Sequence, residues 1–112
     1  MHVKYTAISR KDLSSPTRLL LKHGLINVSK AVLDYGCGRG FDADLLKFDK
    51  YDKYWHDVKL IRKYDYIICN FVLNVVSKSD QDTILSDIKK LLKTKGIAYI
   101  AVRRDIKKDI KY

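Results

Sequence analysis

The decapeptide AVLDYGCGRG at positions 31–40 constrains the fold of this chain more than any other stretch. Its first half is an apolar run that leads into Asp34, and glycine then recurs at Gly36, Gly38 and Gly40. Glycine lets the backbone turn sharply and lets another group approach without a Cβ in the way. We therefore predict a short buried strand, a tight loop, and a helix whose first N–H groups are free of intrahelical partners.

The other segments alternate between helix-like and strand-like patterns. Ser14 and Pro16 indicate the start of a helix, and Gly24 indicates its end. Apolar spacing predicts two further helices, over 42–48 and 80–93, and Ser79 is the candidate cap of the second. Apolar runs predict strands over 31–35, 51–55, 65–70 and 97–103, and residues 94–96 have the composition of a turn. Apolar strands separated by helices indicate an α/β fold whose mostly parallel sheet is covered on both faces.

Ligands of such sheets bind outside the carboxyl ends of the strands, which here are 34–40, Asp52, 70–74 and Arg103. The loop spacing is G-x-G-x-G, whereas a dinucleotide site has G-x-G-x-x-G. The Asp34 carboxylate would repel a pyrophosphate, but it suits a ligand with an ammonium and a sulfonium group, such as S-adenosylmethionine. The alternative is a purely structural turn.

Composition restricts the partners and the compartment. The 112 residues carry a formal net charge of +10. This charge indicates either an anionic partner, with nucleic acid as the first candidate, or simply a solvated lysine-rich surface. Cys37 and Cys69 have no metal-type spacing, and residues 1–11 contain no apolar run. We expect a reduced cytoplasmic protein that does not enter a membrane.

The string VLDYGCGRG resembles the first motif of class I S-adenosylmethionine-dependent methyltransferases. The segments TAISRKDLSSPTR, YDKYW, YDYIICNFVLNVV and LLKTKGIAYIAVRRD extend the resemblance from about Thr6 to Asp105, and are similar to small methyltransferase-like proteins of bacteriophages and DNA phosphorothioation systems. The resemblance implies a reduced Rossmann-like methyltransferase fold in one domain, residues 1–112, with its C-terminal strands truncated. That domain comprises a helical segment over about 6–28, a cofactor-binding core over about 31–105 and a basic tail over 106–112. For a phage-encoded protein the compartment would be the host cytoplasm.

The resemblance also implies roles for individual residues. Asp34 and the loop residues Tyr35, Gly36, Cys37, Gly38 and Gly40 would hold the methionine part of the cofactor. Asp52 would accept hydrogen bonds from the ribose hydroxyls, unless it is an ordinary loop aspartate. Asn70, Phe71 and Val72 would lie beside the cofactor, with Asn70 as the candidate catalytic residue or a mere capping asparagine. Arg10 would reach the cofactor carboxylate, unless it is a surface arginine.

The sequence departs from the family pattern in four places. The stretch between Asp42 and Asp52 is short, so the second strand and its approach are trimmed. Residues 56–63, HDVKLIRK, are too few for a full helix and strand, so the acidic residue that meets the adenine amine has no match. Asn70-Phe71-Val72-Leu73 replaces the N-P-P-[YF] tetrapeptide of many amino-group methyltransferases. The chain ends soon after the predicted strand over 97–103, which favours a homodimer or a partner chain that completes the sheet.

Three functions are compatible with these features. The first is methyl transfer to nucleic acid, driven by alignment of the acceptor. The second is a non-catalytic methyltransferase-like subunit that completes or activates a partner, and the third is a basic nucleic-acid-binding module. Aromatic and cationic residues are interleaved over 48–66. This pattern suits a surface that stacks on bases and contacts phosphates. Alternatively, the aromatic residues fill a small core beneath a basic surface. His56 is the one histidine near the predicted cleft, and Cys69 reads as a buried structural thiol.

Overall fold

A computed structural model describes residues 13–70 and 76–102. Its elements in chain order are α1 (Ser15–Lys22), β1 (Val32–Tyr35), α2 (Phe41–Leu46), β2 (Asp49–Tyr51), β3 (Tyr64–Asn70), α3 (Lys78–Leu91) and β4 (Leu92–Ala101). The predictions made for Arg10, Phe71, Val72, Arg103 and the basic tail over 106–112 lie outside the described residues.

The four strands form one parallel sheet in the order β2-β1-β3-β4. Asp34, near the end of β1, pairs with Lys50 of β2 on one side and with Ile68 of β3 on the other. The sheet confirms the predicted α/β class and the reduced Rossmann-like architecture. The carboxyl ends of β1, β2 and β3 consequently meet at one edge, where the glycine loop begins.

Helices cover both faces of the sheet because side chains alternate along each strand. On one face Leu33, Ile67 and Cys69 pack against Ile88 of α3. On the other face Val32 and Ile68 form a cluster with residues of α2 and of the segment after α1. Burial of each large apolar side chain contributes about 1.5–3 kcal/mol, so these two clusters fix the sheet on which the loop is mounted.

Several predicted boundaries are wrong, and helix α2, for example, ends at Leu46 and not at Phe48. The second strand is Asp49–Tyr51 and not 51–55, because residues 52–56 form a turn closed by backbone pairing of Asp52 with His56. Helix α3 begins two residues earlier than predicted, since the Ser77 hydroxyl, and not that of Ser79, accepts the Asp80 N–H at 3.1 Å.

The predicted turn at 94–96 lies inside β4 as a bulge. Tyr64 pairs with Leu92 and Tyr66 pairs with Ile97, so two residues of β3 span five of β4. A β-carbon on Gly96 would lie 2.9 Å from the Tyr64 carbonyl oxygen, so the close approach of the two strands requires glycine there. The sequence signal for a chain reversal was therefore a signal for a bulge.

Within the described ranges, no helix has the length and hydropathy needed to cross a membrane.

Candidate cofactor site at the glycine loop

The loop after β1 depends on glycine at each alternate position. Gly36, Gly38 and Gly40 adopt φ angles of 77°, 61° and 84°, in the left-handed region that costs other residues about 1–2 kcal/mol. The loop is fastened to β2, because the Gly36 and Cys37 N–H groups both donate to the Tyr51 carbonyl oxygen, at 2.7 and 3.0 Å. The three glycines thus form a tight bend between the end of β1 and the start of α2.

Asp34 lies at the base of this bend and is only 4% exposed. Burial is the main cause that raises the pKa of the Cys37 thiol to about 12, and the negative charges of Asp34 and Asp52 add to it. Burial, followed by the charge of Asp34, also raises the pKa of the Cys69 thiol to about 12. Both thiols are therefore neutral at physiological pH and unsuited to act as nucleophiles, while the buried carboxylates favour a cationic ligand over an anionic one.

Asp52, 2% exposed, joins the glycine loop to the turn over 52–56. Its Oδ2 accepts the Gly38 N–H at 2.8 Å, and its Oδ1 accepts the N–H groups of Tyr54 and Trp55 at 2.9 and 3.2 Å. A carboxylate has about four lone-pair positions, so these three bonds leave one position, on Oδ2. The predicted contact of Asp52 with a ribose hydroxyl stays a prediction, and the remaining lone-pair position on Oδ2 is where that hydroxyl would donate.

Asn70, at the end of β3, belongs to a hydrogen-bond network that sequence reasoning missed. Its Nδ2 donates to Ser14 Oγ at 3.3 Å and to Thr17 Oγ1 at 3.1 Å. These hydroxyls in turn donate to Asp42 Oδ2, at 2.6 Å from Ser14 and 2.8 Å from Thr17, and the Ser14 N–H donates to Asp42 Oδ1 at 3.0 Å. The network holds the N-termini of α1 and α2 against the end of β3.

Residues 5–111 match the methyltransferase domain family. The chain belongs to this family. It is also 51% identical over 39 residues to an uncharacterized protein of Rickettsia prowazekii (strain Madrid E), an alignment that covers 35% of this chain and 16% of the relative. The matched region of the chain thus spans about a sixth of the length of that curated relative. No solved structure matches it.

The structure brings most of the predicted site residues of this methyltransferase-family domain to one place. Asp34, the glycine loop and Asp52 are directly connected, and Asn70 lies at the end of the neighbouring strand. The residues that sequence reasoning missed are Ser14, Thr17 and Asp42, which are buried. Ser14 was interpreted only as a helix cap, yet its hydroxyl binds Asp42 and makes no capping bond. The Ser14 and Thr17 hydroxyls are a weak sequence signal for such a network, because their partner Asp42 lies more than 20 positions away.

A cavity of about 350 Å³ opens beside β2. His56 lies on its wall, together with cationic and apolar side chains: Lys50, Lys59, Arg62, Val58, Leu60 and Ile61. The glycine-loop residues 36–40 are not part of its lining, so the cavity is a neighbour of the loop and not its floor. Within the described ranges, the potential ligand side chains form no cluster suited to a metal ion.

Proposed function

We propose that this methyltransferase binds S-adenosylmethionine at the glycine loop and transfers its methyl group to nucleic acid. The observation that carries the proposal is the buried Asp34 carboxylate at the end of β1, followed by three glycines in the left-handed conformation. The family supports methyl transfer in general. The assignment of the cofactor to these residues and the choice of acceptor are our inferences.

In this proposal each loop residue has a definite task. Asp34 balances the ammonium group of the cofactor's methionine part, and the backbone of Tyr35, Gly36, Cys37, Gly38 and Gly40 lines its path. Asp52 offers its remaining Oδ2 position to a ribose hydroxyl while its other bonds hold the loop. Contacts from Arg10, Phe71 and Val72 are proposed from the family resemblance alone.

The chemistry asks little of the protein beyond alignment. The bound cofactor supplies a methyl group already activated by its positively charged sulfur. The contribution of the chain is to hold donor and acceptor in line, and such positioning can supply about 7–11 kcal/mol of barrier reduction. Asn70 is suited to positioning because Ser14 and Thr17 already fix its amide nitrogen, which leaves its carbonyl oxygen as the group to orient an acceptor.

Nucleic acid is proposed as the acceptor because of the net charge. The chain of 112 residues has 23 Lys and Arg against 13 Asp and Glu, and this net positive charge attracts phosphates. It raises the rate at which an anionic acceptor meets the protein, and the effect falls with added salt.

Calorimetric titration with S-adenosylmethionine and S-adenosylhomocysteine tests the cofactor site. We expect micromolar binding that weakens at least about tenfold in Asp34→Asn, which removes the charge but keeps the shape. Asp44→Asn is the matched control, because Asp44 is an exposed carboxylate of the adjoining helix and should leave binding unchanged. Binding absent from the folded protein, or equal in both variants, refutes the site. A tritiated-methyl screen of DNA, RNA and protein then tests the acceptor.

A second candidate function follows from the edge strand β4. Within the described residues β4 pairs on one side with β3, and Ile97 and Ile100 on the strand and Val102 just after it are exposed. We propose on this basis that a second copy or a partner chain adds to this edge, in which case the chain completes a larger enzyme. Light scattering on the purified protein tests self-association. Methyl transfer by a monomer would overturn the proposal that a partner is needed.

A further inference from the structure

Two exposed aromatic side chains project from the turn over residues 52–56, here called the aromatic turn. Tyr54 is 41% exposed and Trp55 is 42% exposed. Each carries a cation over its ring: the Arg39 guanidinium lies 4.8 Å from the Trp55 ring centroid, and Lys53 Nζ lies 6.0 Å from that of Tyr54. Such cation–aromatic pairs provide the stacking and charge that single-stranded nucleic acids bind.

The other aromatics of this stretch are engaged in packing. Phe48 and Tyr64 are buried in the core. Tyr51 packs against Tyr35 with 5.2 Å between ring centroids, and Tyr66 stacks on Tyr99 at 6.4 Å. The alternation of aromatic and cationic residues over 48–66 therefore serves two purposes, and the aromatic turn is the part of it that faces solvent.

Cationic side chains continue from the aromatic turn along the adjoining segment. Residues 53–63 contain Lys53, Lys59, Arg62 and Lys63 against the single carboxylate of Asp57. Lys59 and Arg62 are exposed and line the cavity beside β2, as does His56, whose backbone closes the turn. Arg62 is also 3.9 Å from Asp49, a separation that leaves its charge only partly neutralised.

The aromatic turn is held directly against the glycine loop. The Asp52 carboxylate accepts one N–H from the loop, at Gly38, and two from the turn. Arg39, which lies between the loop's second and third glycines, reaches across to the Trp55 ring. A base stacked on the turn is thereby brought to the side of the proposed cofactor site.

We infer that the aromatic turn and the adjoining cationic segment form the acceptor-binding surface, with single-stranded nucleic acid as the ligand. A base stacks on Trp55 and Tyr54, and the flanking phosphates lie along Lys53, Lys59 and Arg62. This inference rests on the proposed methyl transfer to nucleic acid, and it adds the strand state of the acceptor and the residues that contact it.

Trp55 is the single tryptophan of the chain, so its fluorescence reports on the proposed stack directly. We expect oligo(dT) and oligo(U) to quench it in a saturable, salt-dependent manner, and the relative affinities to distinguish DNA from RNA. A duplex of equal length and heparin, a polyanion without bases, should bind without comparable quenching. Equal quenching by heparin or by the duplex overturns the inference.

Substitutions separate stacking from charge. Trp55→Ala should weaken binding of a labelled oligonucleotide about 5- to 150-fold, the loss expected for one stacked base, with an unchanged salt slope. Trp55→Phe should retain most of the affinity. Lys59→Ala should lower the salt slope by about one, whereas Lys78→Ala, an exposed lysine on α3, should not. An unchanged affinity in Trp55→Ala that is folded by circular dichroism refutes stacking on the turn.

Calorimetry with S-adenosylmethionine on the same samples keeps the two proposals apart. Cofactor binding without oligonucleotide quenching refutes the acceptor surface and leaves the proposed function standing. Quenching without cofactor binding supports the surface and refutes the cofactor site.

Discussion

The buried network around Asp42 allows a quantitative test of the structure. Asp42 is buried, and its carboxylate accepts three hydrogen bonds from Ser14 and Thr17. Hydrogen bonds to a charged group contribute about 1.5–3 kcal/mol each, and an orphaned buried donor costs about 1–3 kcal/mol. The two hydroxyls can still bond to each other, at 3.1 Å, and the Asn70 amide still donates to both, so the full sum is not lost.

We therefore expect Asp42→Ala to lower the free energy of unfolding by about 3–5 kcal/mol, a large share of the 5–15 kcal/mol typical of a domain. The midpoint of thermal unfolding should fall by roughly 12–20 °C. Urea denaturation followed by far-UV circular dichroism measures the change, with an unchanged m-value as the check that the two-state comparison holds.

Asp44→Ala is the matched control, because Asp44 lies on the same helix but is 60% exposed and pairs with Lys50 at 2.6 Å. An exposed ion pair contributes at most about 1 kcal/mol. If Asp42→Ala and Asp44→Ala destabilise the protein equally, the buried network is not what holds α1 and α2 against the end of β3. A double-mutant cycle between Asp42 and Asn70 should give a coupling energy of at least about 0.5 kcal/mol if the network acts as a unit.

Three further outcomes can be measured. Gly38→Ala should cost about 1–2 kcal/mol of stability in urea titrations because of the 61° φ angle, and Gly38→Asn should cost less; equal costs would contradict the backbone argument. Iodoacetamide at about pH 8 should alkylate Cys37 and Cys69 much more slowly than an unhindered thiol, because burial raises the pKa of each thiol to about 12. Rapid labelling detected by mass spectrometry would refute the burial of Cys69 and the shielding of the half-buried Cys37. The Ala31 N–H, and after it Lys93, lower the pKa of Asp65 below its ordinary 3.8. This stabilisation is present above that value and is lost as pH falls through the folded pKa, so Asp65→Asn should flatten the decline of unfolding free energy between about pH 5 and pH 2.

The sequence predicted the parts of the fold that depend on local pattern. The glycine loop, the start of α1 at Ser15 and the neighbouring strands β1 and β3 follow from glycine spacing, the proline in the first turn of the helix and apolar runs. Ser77 and Ser79 are each followed by an aspartate three positions on, so capping chemistry alone could not choose between them.

The parts that escaped prediction depend on side chains far apart in the chain. Residues 51–55 have the aromatic content of a strand, but the Asp52 carboxylate binds backbone N–H groups and favours a turn instead. The partnership of Asp42 with Ser14 and Thr17 arises only once α1 and α2 meet above the sheet. The contact between Arg39 and Trp55 likewise requires the loop and the turn to be folded together.

The bulge in β4 bears on how the length of this chain can change. Five residues of β4 lie opposite two of β3, and regular pairing resumes only at Ile97 and runs to Ala101. Three of these β4 residues therefore have no partner position on β3. An insertion or deletion of one residue between Lys93 and Lys95 can be absorbed there without shifting the ladder that follows, whereas the same change after Ile97 would turn every later side chain to the opposite face. Gly96, packed against the Tyr64 carbonyl, marks the border between the stretch that tolerates length variation and the stretch that does not.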